Sequence, residues 1–325
     1  MLELGMIFYN LIGLLVALAV LVWGADKFVD NSSLIAKKFG LSELTIGLTI
    51  VALGTSAPEI FVGISSVLNG TEAIAMGTVI GSNISNIALI FGVSCIGISI
   101  RPAKTNPIQF LPFILGVIIL GLGLLDLKIT KVESIEFLFL FAAFMYITYV
   151  FRIPDTNNKD DGNNTEINTI KTMTFLVIGL LALIIGSNYA VVNAEQIAVM
   201  LNVPQVIIGL TIIAIGTSLP ELAATISAII KKKNDMVIGN VIGSNVMNIA
   251  LVVPIIGLFS DSTFEGNILS RDFFIMAIAS VLFVFIAASY SSTKISLNFI
   301  KFIGFAFVIG YLVYILKLSN LIYFF

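Results

Sequence analysis

Two glutamates carry the chemistry of this sequence. Each closes the same six-residue pattern: Gly54-Thr55-Ser56-Ala57-Pro58-Glu59, and again Gly216-Thr217-Ser218-Leu219-Pro220-Glu221. Both patterns sit inside long apolar stretches. A carboxylate in a bilayer costs on the order of 2.5 to 3.5 kcal/mol by insertion scales, so it persists where something cationic meets it. No lysine or arginine lies in a span interior to serve as that partner. A proline one residue ahead of each glutamate removes a helical hydrogen bond and pushes away the carbonyl four residues back, at Gly54 and Gly216. Bare backbone at that depth is tolerated only where it faces protein or a watery cavity. The two carboxylates, the hydroxyls of Thr55, Ser56, Thr217 and Ser218, and the freed carbonyls are all hard oxygen donors.

A second element adds more oxygens. Gly81-Ser82-Asn83-Ile84-Ser85-Asn86 recurs as Gly243-Ser244-Asn245-Val246-Met247-Asn248. Ser82 and Asn86 are four residues apart, as are Ser244 and Asn248, so each pair shares one helix face. The chain has no histidine and a single cysteine, Cys95. Zinc and copper therefore lack their preferred donors, and no disulfide can form within one chain. Calcium takes six to eight oxygens in flexible geometry, and sodium competes for the same oxygens, whereas magnesium demands a tight octahedron. Two carboxylates without a fixed positive charge balance one divalent ion or two to three monovalent ones. That equivalence is an electrostatic basis for exchange.

The elements that position these residues are membrane helices. The 325 residues are 58% hydrophobic and only 11% charged, with a mean hydropathy of +1.08; a soluble domain carries roughly 25% charged residues. Apolar stretches long enough to cross a hydrocarbon core lie near 6–25, 45–68, 74–99, 108–126, 134–152, 171–192, 205–230, 236–259, 271–290 and 297–318. The sequence predicts an all-α integral membrane protein with ten transmembrane helices. The first span lacks a basic leader and is read as a retained helix. A net charge of −2 gives no surface for nucleic acid.

The chain is one unit written twice. The glutamate boxes are 162 residues apart, and the same offset pairs Gly24 with Gly186, Asn31 with Asn193, Gly47-Leu48-Thr49-Ile50 with Gly209-Leu210-Thr211-Ile212, and Asn86-Ile87-Ala88-Leu89 with Asn248-Ile249-Ala250-Leu251. Five spans per copy is an odd number, so the copies enter the membrane from opposite sides and the repeat is predicted to be inverted. The expected organisation is a first five-helix repeat over 1–152 with its motif at 45–99, a cytoplasmic linker over 153–170, and a second repeat over 171–325 with its motif at 205–259. The linker holds Asp155, Asp160 and Asp161 but lacks the ligand spacing of an EF-hand.

Loop charge orients the chain. Placing the N-terminus outside puts Lys27, Lys37, Lys38, Arg101, Lys104, Arg152, Lys159, Lys171, Lys231, Lys232, Lys233, Lys294 and Lys301 on the cytoplasmic side, leaving Lys128, Lys131, Arg271 and Lys317 outside. Both termini are expected outside a plasma or inner membrane and the central loop inside. Lys231-Lys232-Lys233 occupies the positions of Asn69-Gly70-Thr71 in the first copy, the opposite bias that inversion requires.

At these boxes the sequence resembles the sodium/calcium exchanger branch of the cation/calcium exchanger superfamily, specifically its short microbial members. The resemblance spans nearly the full chain. It implies a core of spans 2, 3, 7 and 8 around a central calcium site with flanking sodium sites, against which spans 1 and 6 slide to alternate access. It also implies that Glu59 and Glu221 bridge the sites and that Thr55 and Thr217 lend backbone oxygens to calcium. Ser56, Ser218, Ser82 and Ser244, with the carbonyls of Ala52 and Ala214, would serve sodium, and Asn86 and Asn248 would line the centre. Some relatives carry aspartate at one asparagine position; amides at both here argue against potassium co-transport. The reading is of a sodium/calcium antiporter rather than an enzyme, with calcium and sodium as cargo, the bilayer as its surroundings and no resident cofactor. A calcium/proton antiporter, in which the same carboxylates are alternately protonated and metal-bound, and a gated cation channel are the rival readings.

Overall fold

A computed structural model describes residues 2–97, 101–102, 105–152, 168–203, 214–260, 263–290 and 295–318. All regular structure among them is helical. In chain order the helices are α1 (Leu2–Lys38), α2 (Glu43–Thr55), α3 (Ala57–Leu68), α4 (Glu72–Gly97), α5 (Pro107–Asp126), α6 (Lys131–Val150), α7 (Thr169–Met200), α8 (Ala214–Thr217), α9 (Leu219–Ile230), α10 (Asn234–Phe259), α11 (Ile268–Tyr290) and α12 (Leu297–Leu318). Eight of these are long and apolar enough to cross a membrane. The pair α2 and α3, bent by 44°, makes a ninth. The span expected over 205–230 begins outside the described residues, as does most of the 153–170 linker.

Two helices run well past their apolar stretches. α1 continues from the expected end at residue 25 to Lys38, and α7 from residue 192 to Met200. Hydropathy marks only the length in hydrocarbon; within the extra turns Asn31 Nδ2 donates to the Lys27 carbonyl and Asn193 Nδ2 to the Tyr189 carbonyl, each at 2.7 Å. Helix starts follow their local sequence. Thr130 and Glu133 form a reciprocal capping box at the head of α6, and the Asn168 side chain accepts from the Lys171 N–H at the head of α7.

The 162-residue register is present in the backbone as well as in the side chains. Gly40 and Asn202 both adopt left-handed conformations, with φ of 62° and 56°, as do Gly70 and Lys232, with φ of 67° and 61°. Each follows a helix end closed by a matching bond: Leu41 N–H to the Ala36 carbonyl and Val203 N–H to Ala198, then Thr71 N–H to Ser66 and Lys233 N–H to Ala228.

α4 and α10 form the centre, with 78% and 83% of their most apolar windows buried, against 17% for α1. α2 lies on α10 main chain to main chain; a methyl at Gly243 would stand 2.5 Å from the Leu48 carbonyl oxygen. α5, α6, α11 and α12 pack around this centre in one apolar cluster, in which Phe91 of α4 meets Phe283 of α11 edge-on at 4.8 Å. α1 and α7 stand to one side, antiparallel and in backbone contact. A methyl at Gly24 would lie 2.6 Å from Leu183 N, and one at Gly186 would lie 2.6 Å from Leu21 N. Small residues permit this approach where lipid supplies no hydrophobic drive between helices.

Candidate ion-binding site

The helix break falls one residue ahead of each Ala/Leu-Pro-Glu triplet. α2 ends at Thr55, Ser56 turns with φ −82° and ψ 3°, and α3 begins at Ala57 with Pro58 in its first turn. In the second half Ser218 turns with φ −94° and ψ 6° between α8 and α9, with Pro220 in the equivalent position. Proline is welcome in a first helical turn, where its missing N–H would be unpaired in any case. Glu59 and Glu221 are therefore third residues of helices whose N-terminal dipoles face them, which offsets part of the cost of burying a negative charge.

Both carboxylates are sealed from solvent, with 0% and 1% exposure. Among the described residues neither forms an ion pair; the salt bridges all lie elsewhere. Ser82 donates to Glu59 Oε1 at 3.2 Å and Ser56 donates to Glu221 Oε1 at 3.3 Å. The second oxygen of each, Oε2, has no protein partner.

α4 and α10 supply the rest. Asn248 Nδ2 donates to Ser82 Oγ and to Asn83 Oδ1, both at 3.1 Å, so a chain of hydrogen bonds runs from α10 through α4 to Glu59 in α3. Asn83 Nδ2 reaches the Asn245 carbonyl, its own counterpart at the 162-residue offset. Both helices widen into π-helical turns beside these residues, at Ser85–Phe91 and Asn248–Val252. Such widenings concentrate at functional sites in helices. Asn86 is buried, and neither its Oδ1 nor its Nδ2 has a protein partner. Ser218 Oγ and Asn248 Oδ1 are likewise unpartnered. Buried polar groups are nearly always satisfied. Here five oxygens of the glutamate boxes and the two asparagines, Glu59 Oε2, Glu221 Oε2, Ser218 Oγ, Asn86 Oδ1 and Asn248 Oδ1, are buried and left over, a donor set of the kind suited to calcium or sodium. Among the described residues no three His, Cys, Asp or Glu side chains cluster. An ion here would be held by two carboxylates and neutral oxygens.

Other residues of the sequence reading are placed differently. The Thr55 hydroxyl turns back along its helix, 3.0 Å from the Val51 carbonyl and 3.3 Å from Asn240 Oδ1, so it is occupied within the protein. Ser244 points to the same amide oxygen at 3.5 Å rather than to Glu221. The Ala52 carbonyl accepts the Ser56 N–H at 2.9 Å and, more weakly, the Thr55 hydroxyl at 3.4 Å. Thr217 is half-buried and lines a cavity of about 550 Å³ that also reaches Gly81 and Ser82. Ala214 begins α8. The carbonyl of Gly216, which Pro220 was expected to free, accepts a hydrogen bond from Ser187 of α7 at 3.0 Å. The position of Ser187 in the first half is Ala25, which has no hydroxyl.

Sequence reasoning missed Asn240, which is 2% exposed and joins Thr55 to Ser244, and also the cross-contact of Asn83 with Asn245 and Asn248. The signal was present. Asn240, Ser244 and Asn248 recur every four residues as a polar stripe on an apolar helix, and Asn83 stands within a box already singled out.

Comparison with known proteins agrees with this geometry. The family described as sodium/calcium exchanger protein matches residues 9–150 and 171–319. The putative antiporter CaxA of Alkalimonas amylolytica is 37% identical over 278 residues, covering 82% of this chain and 86% of the relative. The sodium/calcium exchanger MaX1 of Methanosarcina acetivorans is 33% identical over 333 residues, covering 88% and 93%. Among solved structures, the sodium-calcium exchanger NCX_Mj soaked with zero sodium and calcium superposes with a TM-score of 0.81 at 30% identity, over 96% of this chain and 99% of that one. With two buried glutamates on broken helices and a match over both halves, this multi-pass membrane chain belongs to the sodium/calcium exchanger family of ion antiporters.

Proposed function

We propose that the chain is a secondary-active antiporter that exchanges sodium for calcium by alternating access. The observation that carries this reading is the pair of solvent-sealed carboxylates, one from each half, each with one oxygen bonded to serine and the other left unpartnered. Glu59 and Glu221 bridge the bound ions. Backbone oxygens of Thr55 and Thr217 join them at calcium. Ser56, Ser82, Ser218 and Ser244, with the carbonyls of Ala52 and Ala214, serve sodium, and Asn86 and Asn248 line the centre. The ions are cargo, and no resident cofactor is needed.

The architecture behind this reading is ten spans in two inverted five-helix repeats, 1–152 and 171–325, joined by a cytoplasmic linker at 153–170, with both termini outside. Three contacts support the assignment of loops to faces. Lys231 meets Asp26 and Asp30, Arg101 donates to the Tyr290 carbonyl at 3.3 Å, and the Phe264 N–H donates to the Leu127 carbonyl at 2.7 Å. Each joins loops that the charge bias assigns to a common side.

The test is calcium-45 uptake into proteoliposomes carrying the purified chain, driven by an outward sodium gradient at clamped pH. Uptake that follows the sodium gradient and collapses when sodium is replaced by potassium is the expected result. Uptake that follows a proton gradient and ignores sodium would replace this reading with calcium/proton exchange.

A further inference from the structure

The cavity of about 550 Å³ that reaches Ser82 and Thr217 has walls of isoleucine, leucine, glycine and tyrosine. Among the described residues lining it, only Arg271 and Asp272 are charged. The Arg271 side chain is 42% exposed and Asp272 only 16%, so the guanidinium is the more accessible of the pair. Asp272 is thoroughly engaged. Arg271 Nε donates to its Oδ1 at 2.7 Å, an Arg271 terminal nitrogen donates to its Oδ2 at 3.0 Å, and Tyr314 OH donates to Oδ1 at 3.1 Å.

A fixed positive charge at the mouth of a low-dielectric passage repels the cations that must use it, because such walls focus the field rather than screen it. The forked pairing of Arg271 with Asp272, whose Oδ1 also accepts from a tyrosine on α12, cancels that charge. Resting on the exchange reading above, we propose that Asp272, positioned by Tyr314, governs cation entry through this cavity: it neutralises Arg271 so that calcium and sodium can pass from this face to Ser82 and Glu59. It touches no ion in the site. Its effect is on the apparent affinity for cations arriving through this cavity.

The experiment measures calcium-45 uptake against calcium concentration on each face separately, in proteoliposomes of determined orientation, for the unaltered chain, Asp272→Asn, Arg271→Gln and the double variant. Asp272→Asn leaves the guanidinium unbalanced and is expected to raise KM on the cavity face about fivefold at low salt, with kcat retained. Arg271→Gln leaves an unbalanced carboxylate and is expected to lower that KM about threefold. The double variant should return to within about twofold of the unaltered chain. Both single-variant effects should shrink as ionic strength rises from about 10 to about 150 mM, where the Debye length falls from about 30 to about 8 Å. KM on the opposite face should not move.

An unchanged KM in both single variants, or a loss in Asp272→Asn that Arg271→Gln does not rescue, overturns the proposal. Should Asp272→Asn fail to insert, the direction of the Arg271→Gln shift decides alone. Failure of the exchange reading is distinct: the unaltered chain would then show no sodium-driven uptake at all.

Discussion

Ser56, three residues ahead of Glu59 in the first half, donates its hydrogen bond to Glu221 of the second half, at 3.3 Å. The first glutamate box thus helps to build the second's site, whereas Ser218 has no matching bond to Glu59. A hydrogen bond to a charged group contributes about 1.5 to 3 kcal/mol. Ser56→Ala is therefore expected to lower the apparent affinity for sodium about tenfold or more, with the protein still folded. Titration of calcium uptake against the driving sodium concentration checks it, and an unchanged apparent sodium affinity would remove Ser56 from the site.

Glu59→Gln and Glu221→Gln preserve shape and remove charge. Each leaves one carboxylate against a divalent ion, and both are expected to abolish sodium-driven calcium uptake. Insertion and melting temperature should be retained or improved, because a buried, unpaired charge is gone. Near-normal flux in either variant contradicts the proposed site.

Lys231 ties α1 to the end of α9 through Asp26 at 2.5 Å and Asp30 at 2.7 Å, with the carboxylate side chains 43% exposed. Ion pairs open to solvent are weak, about 0.2 to 1 kcal/mol each. Lys231→Gln should lower the melting temperature in detergent by a few degrees at low salt at most. The difference should vanish at about 1 M salt, where the Debye length is about 3 Å.

Lys232 holds the left-handed conformation that Gly70 holds in the first half. A non-glycine residue there costs roughly 1 to 2 kcal/mol. Glycine loses more backbone freedom on folding, which takes back part of that. Lys232→Gly is expected to raise thermal stability slightly, by about 0.5 to 1 kcal/mol, without altering transport. A chemical or thermal melt measures it.

Gly24 and Gly186 allow α1 and α7 to touch along their backbones. Valine at either position forces the helices apart and is expected to destabilise the chain by several kcal/mol or block assembly, which size-exclusion profiles and melts report. Gly266, where an added methyl meets nothing within 4 Å, should accept alanine silently.

Much of the site was legible because polar residues inside apolar helices have few uses. Glu59, Ser56, Ser82 and Asn248 stand out against leucine and isoleucine, and their recurrence at one offset marks them as a set. What escaped was pairing. Spacing places Ser82 and Asn86 on one face but cannot say that Ser82 turns to Glu59 while its counterpart Ser244 turns to Asn240. The divergence has a residue-level cause, since Asn240 occupies the position of Thr78, whose hydroxyl is spent on the Ile74 carbonyl. Helix lengths were underestimated for α1 and α7 because their terminal turns are less apolar and rest on packing, to which hydropathy is blind. The fate of the Gly216 carbonyl depended on Ser187, a partner far away in sequence.

That serine has a thermodynamic consequence. A duplicated transporter whose halves were identical would have two access states of equal energy, interconverted by swapping the roles of its halves. Ser187 anchors α7 to the kink of the second half, and Ala25 gives α1 no such anchor in the first. On the alternating-access reading proposed above, a neutral hydrogen bond of about 1 kcal/mol made in one access state and broken in the other would lift the degeneracy and bias the resting population about fivefold toward one side of the membrane before any ion binds.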